Sequence, residues 1–219
     1  MNFSIIVQAR STSTRFSNKI MAEIDGKPII LHVINACMQA GYEPIFCIPK
    51  NDNVKQWLIS KGLIFHEGSE HNVLERYYQT ACKFEIKNIM RITCDCPLIN
   101  SETINYLAWH HLKFGSSFTS NCINKSIDGQ DIDIMTFKCL ELAYKNATQE
   151  YDKEHVTTYI KRCIRDNEFP GFPDFLYTSY ENNFLKEWFP KMSVDTVEDL
   201  ERIKEIYFKI KKNEDYNEK

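Results

Sequence analysis

Short apolar runs alternate with amphipathic segments from the start of the chain to residue 121. The runs FSIIVQA and NIMRIT lack the alternation of apolar and polar positions that a strand with one wet face would show. Such runs are typical of buried parallel strands. The segments between them carry apolar residues at helical spacing and end near glycines such as Gly41 and Gly62. This order predicts a mainly parallel twisted sheet with helices on both faces.

The predicted elements can be placed along the sequence. Strands are predicted at 3–9, 44–49, 63–66, 88–93 and 116–121, and helices at 26–41, 51–62, 72–84 and 101–115. Beyond residue 121 the pattern predicts a hairpin arm and strand at 128–137, a helix at 153–164, an aromatic flap at 170–184, a short strand at 191–196 and a helix at 196–212. No repeat or linker interrupts the chain, so we expect one domain over residues 1–212 and a disordered tail over 213–219.

Composition and charge narrow the class of protein. The net charge is −3, and because proteins that bind nucleic acid are usually basic, we expect no nucleic-acid partner. Residues 1–9 lack a basic signal-peptide start, and no apolar run reaches the ~20 residues that span a bilayer. The eight cysteines are scattered without a CxxC pair, which argues against a zinc site and a disulfide framework. We therefore expect a cytoplasmic protein with no membrane partner.

Three polar segments should meet at the carboxyl ends of the strands, where open parallel sheets bind ligands. The first, ARSTSTRFSNK, carries Arg10, Arg15 and Lys19 directly after the first strand and lacks the glycine pattern of a Walker loop. Arginine side chains and the N–H groups at a helix start bind phosphate oxygens. A solvated basic loop explains the same spacing, so both interpretations stay open.

The other two segments each contain an aspartate that suits a metal ion. Asp95 in CDCPL follows the strand NIMRIT, and one or two such carboxylates commonly hold Mg²⁺ beside phosphate oxygens. The alternative is that Asp95 caps the next helix. Asp195 in SVDT is either a second Mg²⁺ ligand or, with Thr196 and Asp199, part of the start of the last helix.

Five motifs in a fixed order resemble the cytidylyltransferase family, which includes 3-deoxy-manno-octulosonate and acylneuraminate cytidylyltransferases. IIVQARSTSTRFSNKIMAEIDGKPIILHVI is similar to the opening of that family. VLERYYQTA, RITCDCPLI, KEHVTTYI and SVDTVEDLERIKEIY are even more similar to the branch of the spore coat polysaccharide protein SpsF. The motifs run from residue 4 to about 207. The resemblance implies the GT-A-like fold of nucleotide-diphospho-sugar transferases.

The resemblance also implies a role for each matching residue. Nucleotide binding would fall to Ala9, Arg10, Ser13, Arg15, Lys19, Arg76 and Asp95. Acceptor binding would fall to Gln130, Asp131, Asp133, Glu154 and His155. The Mg²⁺ ligands would be Asp95 and Asp195, and the catalytic residues would be Arg10, Lys19 and Asp95. Lys19 would neutralise charge that develops on the α-phosphate.

These roles imply an Mg²⁺-dependent enzyme that uses CTP to activate a sugar acid or a related surface-glycan precursor. The product would be a CMP or CDP derivative for polysaccharide biosynthesis, formed with release of pyrophosphate. Such a transfer needs cations already in place, and no side-chain nucleophile. Two alternatives stay open: a nucleotidyltransferase that uses GTP or UTP, and a non-catalytic protein that binds a nucleotide-sugar. Relatives are often dimers, so we expect a homodimer.

The chain departs from the SpsF-like pattern near the expected nucleotide site. Thr12 and Cys94 stand where relatives usually carry glycine. Because glycine permits close backbone approach, Cys94 could narrow the metal pocket. Ser17 and Asn18 replace a proline-glycine pair, and we expect Asn18 to adopt the left-handed turn conformation instead. His155 is a candidate general base, with a structural role in its helix as the alternative.

Overall fold

The computed structural model describes residues 3–122, 128–169, 175–179 and 191–217, with side chains described as far as residue 212. The strands are β1 (Phe3–Gln8), β2 (Glu23–Ile24), β3 (Lys27–Pro28), β4 (Ile45–Pro49), β5 (Phe65–Gly68), β6 (Asn88–Thr93), β7 (Phe118–Ser120), β8 (Asp133–Thr136) and β9 (Tyr177–Ser179). The α-helices are α1 (Ile29–Gln39), α2 (Val54–Ser60), α3 (Val73–Lys83), α4 (Ser101–Phe114), α5 (Phe137–Asn146), α6 (Glu150–His155), α7 (Thr158–Asp166) and α8 (Val197–Asn217), and a short 3₁₀ helix covers Lys19–Met21.

The central sheet has the strand order β5-β4-β1-β6-β8-β7-β9, and β2 and β3 form a separate small hairpin. Strands β5, β4, β1 and β6 are parallel. β8 lies antiparallel between β6 and β7, and β9 runs parallel to β7. The prediction of a mainly parallel sheet is confirmed. The reversal at β8 follows from its connection, because β7 leads to β8 with no described helix between them, and strands joined in this way pair antiparallel.

Helices cover both faces of the sheet. Ile5 and Val7 of β1 belong to the apolar cluster that contains α1, α2 and α4. Ile6, between them, belongs to the cluster that contains α3, α5 and α7. Successive side chains of a strand point to opposite faces. The absence of alternation in β1 therefore reflects burial on both sides.

Asn72 and Glu75 have the spacing of a capping box at the start of the helix predicted over 72–84, and α3 begins at Val73 with Asn72 as its N-cap. Asn72 Oδ1 accepts a hydrogen bond of 3.0 Å from Glu75 N, as expected of an N-cap. The Glu75 carboxylate accepts from Gln79 Nε2 at 3.0 Å, and the Asn72 N–H donates to Ser69 Oγ at 3.1 Å. The capping box is thus half formed, because Ser69 satisfies the donor that Glu75 would otherwise reach.

Three predictions for the second half of the chain differ from the structure. The single helix expected at 153–164 is two helices, α6 and α7, because Val156 has φ 58° and interrupts the helical backbone. Helix α5 was missed. The strand expected at 191–196 is reduced to one bridge between Lys191 and Asp128. Most of the flap expected at 170–184 lies outside the described residues, apart from β9 and the two residues before it.

The final helix is longer than expected. Helix α8 runs to Asn217 instead of ending at residue 212, so the backbone over 213–217 is helical where the sequence predicted a disordered tail. Its side chains Leu200, Ile203 and Ile206 pack on Ile24 and Ile29, beside the β2–β3 hairpin. Within the described ranges, no helix combines the length and the apolar character needed to cross a bilayer.

The segment 191–196, which leads into α8, passes very close to Gly129 at the end of the sheet. Met192 N donates to Asp128 O, and Val194 N donates to Asp95 O at 2.9 Å. Gly129 has φ +100°, and a Cβ at this position would overlap the backbone of Met192 and Ser193. Residue 129 must therefore be glycine for this segment to pass so close.

We expect Gly129→Ala to destabilise the protein more than Gly62→Ala does. Both glycines have positive φ, +100° and +67°, so each alanine incurs about 1–2 kcal/mol of backbone strain. Gly62 has no heavy atom within 4 Å of an added Cβ, whereas at Gly129 the overlap adds about 1–3 kcal/mol. Urea denaturation of both variants measures the difference, and equal losses would show that the overlap is relieved without cost.

Candidate active site

A cavity of about 450 Å³ opens at the carboxyl ends of β1 and β6. It is bounded by the loop after β1, the start of α3, the end of α6 and the segment before α8. The structure brings most of the predicted site residues to its wall. Those that line it are Ala9, Arg10, Ser13, Arg15, Lys19, Arg76, Asp95, Asp131, Glu154, His155 and Asp195.

Lys19 joins the two predicted metal ligands. Its Nζ donates to Asp95 Oδ2 at 2.7 Å and to Asp195 Oδ1 at 2.9 Å. Arg15 also donates to Asp195 Oδ1, at 3.0 Å, and Lys191 Nζ lies 3.2 Å from Asp195 Oδ2. Three cations therefore neutralise two carboxylates that come from distant parts of the sequence.

These contacts keep Lys19 and Asp195 charged. Burial would lower the pKa of Lys19, whose side chain is 12% exposed, but Asp95 and Asp195 outweigh burial and raise that pKa. Burial would likewise raise the pKa of Asp195, but the bonds from Lys19 and Lys191 lower it. Lys19 is thus a fixed ammonium ion at neutral pH, next to two carboxylates that face the cavity.

Asp95 and Asp195 are the residues that could hold a metal ion. Both contact the single atom Lys19 Nζ, so their oxygens converge on one point. Within the part of the chain that the structure describes, no group of three or more acidic, histidine or cysteine side chains surrounds a common point. Two carboxylates suit Mg²⁺, which completes its shell with water and phosphate oxygens, and do not suit zinc, which takes three or four protein ligands.

The loop after β1 is anchored by a residue that the sequence analysis missed. Ser11 N donates to both oxygens of buried Asp52, at 3.1 and 2.9 Å, and Asp52 Oδ1 also accepts from Val54 N at 2.9 Å. Asn18 N donates to Ser11 O at 2.9 Å, and Asn18 has φ 54°, as expected for the left-handed turn. The closed turn leaves the Arg10 guanidinium at the cavity wall, 4.0 Å from Glu154.

Cys94 is buried and forms part of the cavity wall next to Asp95. Its side chain belongs to the apolar cluster below the cavity with Ile20 and Ile99. Burial, which is its largest influence, raises the pKa of the Cys94 thiol well above its usual range. The thiol is therefore a protonated packing group between the apolar cluster and the floor of the cavity.

Two residues expected to bind the acceptor do not reach the cavity. Asp133 is fully buried in β8, where Ser120 Oγ donates to Oδ1 at 2.5 Å and Thr157 Oγ1 donates to Oδ2 at 2.7 Å. Lys161 Nζ lies 3.0 Å from Oδ1. Gln130 is not part of the wall, and its carbonyl oxygen accepts from Asn121 Nδ2 at 2.7 Å. Asp133 faces the helices beneath the sheet, so DGQDIDI contributes Asp131 to the wall, as predicted, and also Asp128, which was not predicted as a site residue.

A family model described as cytidylyltransferase matches residues 4–219 of the chain. The chain belongs to the cytidylyltransferase family. A 3-deoxy-manno-octulosonate cytidylyltransferase of Haemophilus influenzae is 27% identical to it, over 94% of this chain and 87% of the relative. The spore coat polysaccharide biosynthesis protein SpsF of Bacillus subtilis is 22% identical, over 93% of this chain and 85% of the relative.

A solved cytidylyltransferase structure shares the fold. The enzyme from Leptospira borgpetersenii superposes with a TM-score of 0.82 at 26% identity, covering 93% of this chain and 85% of that chain. The family resemblance drawn from the five motifs is confirmed, and so is the nucleotide-diphospho-sugar transferase fold. As a member of the cytidylyltransferase family, the protein is an enzyme of the nucleotidyltransferase class.

Two buried arginines line the cavity of this cytidylyltransferase. Arg76 of α3 donates from Nη1 to the carbonyl oxygens of Ser69 at 2.6 Å and Glu70 at 3.1 Å. Arg91 of β6 was not predicted as a site residue, although it lines the cavity and its side chain is only 10% exposed. The sequence did contain a signal for Arg91, which is the single arginine inside the apolar strand NIMRIT. A charged side chain is rarely buried unless it has a partner, so an arginine in a buried strand indicates a site.

We expect Asp52→Ala to weaken nucleotide binding by this cytidylyltransferase. The variant leaves the Ser11 N–H without its acceptor, which costs about 1–3 kcal/mol. Because the loop that carries Arg10 is then less well fixed, the KM for the nucleotide should rise about tenfold or more. Steady-state pyrophosphate release measures this effect. Asp166→Asn, which alters an exposed partner of Arg165, is the control, and equal KM values for both variants would contradict an anchoring role.

Asp133 should make stability depend on pH in the acid range. Burial would raise its pKa, but the charges of Lys161 and Arg91 outweigh burial and lower the pKa from 3.8 to about 2. A folded-state pKa below the unfolded value means that the ionised group stabilises the protein above about pH 4 and that this contribution disappears as the pH falls towards 2. The change amounts to about 2 kcal/mol.

Urea denaturation at a series of pH values tests this contribution. Asp133→Asn should be less stable at neutral pH, since Lys161 loses its buried partner, and should lose less stability between pH 4 and 2 than the wild type does. Asp166→Asn should change this dependence little, because that carboxylate is exposed. Parallel pH profiles for the wild type and Asp133→Asn would contradict the assignment.

Proposed function

We propose that the protein transfers the cytidylyl group of CTP to a sugar acid or a related surface-glycan precursor. The product is a CMP derivative, or a CDP derivative where the accepting oxygen belongs to a phosphate, and pyrophosphate is released. The observation that carries the proposal is the Lys19 ammonium group between Asp95 and Asp195 in the same cavity as Arg10 and Arg15. The names of the Haemophilus influenzae and Bacillus subtilis relatives support the acceptor class and the role in polysaccharide biosynthesis.

The cations have separate tasks in this reaction. Arg10 and Arg15, which are exposed at the loop, bind the outer phosphates of CTP through paired N–H donors. Lys19 is held in place and charged by its two carboxylate partners. It neutralises charge on the α-phosphate as the acceptor oxygen bonds to phosphorus and the bond to the bridging oxygen breaks.

Asp95 and Asp195 would hold Mg²⁺, which when bound supplies positive charge to the triphosphate. His155 lines the cavity and accepts the proton of the acceptor hydroxyl. Burial lowers the pKa of His155, with Glu154 opposing and Arg91 reinforcing that change, so the imidazole is neutral at pH 7. Mg²⁺ as the metal, the homodimer and the cytoplasmic location belong to the same proposal. The metal and the homodimer follow from the family resemblance, and the location follows from the scattered cysteines without a CxxC pair.

Thermal unfolding with CTP, UTP, GTP and ATP, each with and without Mg²⁺, tests the proposal. A ligand that binds only the folded state stabilises it by about 2.7 kcal/mol at a hundred times its Kd. We expect the largest, Mg²⁺-dependent rise in Tm with CTP. Asp95→Asn should keep the Tm of the free protein, lose the Mg²⁺-dependent part of the rise, and lower pyrophosphate release at least about 100-fold.

Each contrary result points to a different alternative. A larger rise with GTP or UTP would keep the chemistry and change the nucleotide. No rise with any nucleotide, together with no pyrophosphate release, would favour a protein that binds without turnover. If Asp95→Asn unfolds easily but retains activity per folded molecule, Asp95 is a structural residue and not a ligand of the metal.

A further inference from the structure

Arg91 is a buried cation with unused hydrogen-bonding capacity. It lies in the middle of β6, in register with Ile6 of β1 and Asp133 of β8. Its Nη1 is 3.7 Å from Asp133 Oδ2, and its Nε is buried without a partner. Over the described ranges of the chain, the structure contains no hydrogen bond from the Arg91 guanidinium group to another residue. A guanidinium group has five N–H donors, and leaving them unsatisfied in a buried position is unfavourable.

Asp133 does not explain why an arginine is present. Its two oxygens already accept hydrogen bonds from Ser120, Thr157 and Lys161 at 2.5 to 3.1 Å. These bonds are shorter than the 3.7 Å contact with Arg91. An apolar residue at position 91 would fill the strand without burying a charge. The role of Arg91 therefore lies in the cavity that it lines.

Arg91 forms a second cationic subsite, separate from the phosphate loop. It lies two residues before the end of β6, about 7 Å deeper along the strand than Thr93, whereas Asp95 follows the strand. Lys19 and Arg15 donate hydrogen bonds to Asp195, which belongs to the segment before α8. The two cation groups can therefore bind different anions.

Three acidic residues other than the two predicted metal ligands share this cavity with Arg91. Asp128, Asp131 and Glu154 line the same cavity. Arg76 also lines it, but its Nη1 already donates to two backbone carbonyl oxygens. The Nε atoms of both buried arginines lack a partner, but of the two only Arg91 makes no hydrogen bond to another described residue, so Arg91 is the buried arginine with its donors free for an anionic group.

We propose that Arg91 binds the carboxylate of the acceptor and so makes the enzyme select sugar acids over neutral sugars. This inference rests on the proposed function. A carboxylate matches the fork of a guanidinium group and accepts two parallel N–H bonds from it. A neutral sugar leaves Arg91 unsatisfied in the closed site, and sites built to bond a polar group reject ligands that lack it by large factors. Arg91 thereby determines specificity, while the phosphate loop serves CTP.

Acceptor pairs that differ in one group test this role. The probes are 3-deoxy-manno-octulosonate and a panel of other 2-keto sugar acids, each with its C1 carboxamide. Pyrophosphate release gives kcat/KM for each acceptor and KM for CTP. The wild type should prefer an acid over its carboxamide at least about 100-fold. Arg91→Gln should reduce this preference to less than about tenfold, mainly by loss of activity with the acid, and leave the KM for CTP within a factor of about two.

Two further variants separate recognition from folding. Arg91→Lys keeps a charge but loses the forked pair of N–H donors, so we expect an intermediate preference for the acid over its carboxamide. If Arg91→Gln does not fold, the preference is measured with Arg91→Lys instead. Lys161→Gln removes the closest cationic partner of Asp133, and Lys161 does not line the cavity. It should lose stability yet keep the full preference for the acid.

The contrary results are distinct. Equal loss of preference in Arg91→Gln and Lys161→Gln would overturn the proposal and make Arg91 part of a structural network. A raised KM for CTP with an unchanged preference would overturn it in favour of a nucleotide contact. A wild-type enzyme that uses acids and carboxamides equally would overturn it while cytidylyl transfer stands. No pyrophosphate release with any acceptor would instead refute the proposed function itself.

Discussion

The repulsion between Asp95 and Asp195 is the constraint on which this site depends, because both carboxylates must stay ionised while they face one point. Lys19 meets this constraint because its Nζ donates hydrogen bonds to both carboxylates. The pKa of Lys19 is raised and the pKa of Asp195 is lowered, so the opposite charges stabilise one another. The backbone around them is arranged to keep the three groups together. Asp52 holds the loop that ends at Lys19, and the contact over Gly129 holds the segment that carries Asp195.

The reversal of β8 separates two polar regions that are adjacent in sequence. Asp131 lies on the cavity wall, whereas Asp133 lies beneath the sheet with Ser120, Thr157 and Lys161. Asp133 belongs to a buried polar group, whereas Asp131 is partly buried and forms part of the cavity wall. Arg91 of β6 lies next to Asp133 and also lines the cavity. Strand β6 therefore contributes both to the stability of the buried polar group and to ligand recognition in the cavity.

Patterns that act over a few residues predicted much of this molecule. The parallel strands followed from apolar runs buried on both faces, the α3 start from Asn72, and the turn at Asn18 from its tolerance of positive φ. Features that depend on distant partners were beyond the sequence. Nothing near Asp52 indicates that it accepts from Ser11, and nothing in DGQDIDI indicates which aspartate faces inward. The break at Val156 has no proline or glycine to announce it.

The position of Asp195 along the chain has a consequence for how the enzyme matures. Every described strand of the central sheet ends by Ser179, so a growing chain contains all of these strands before Asp195 is added. At that stage the loop and Asp95 are present, but the second carboxylate is not. Under the proposed function, a chain therefore becomes competent for catalysis only after residue 195 has been added, late in its synthesis.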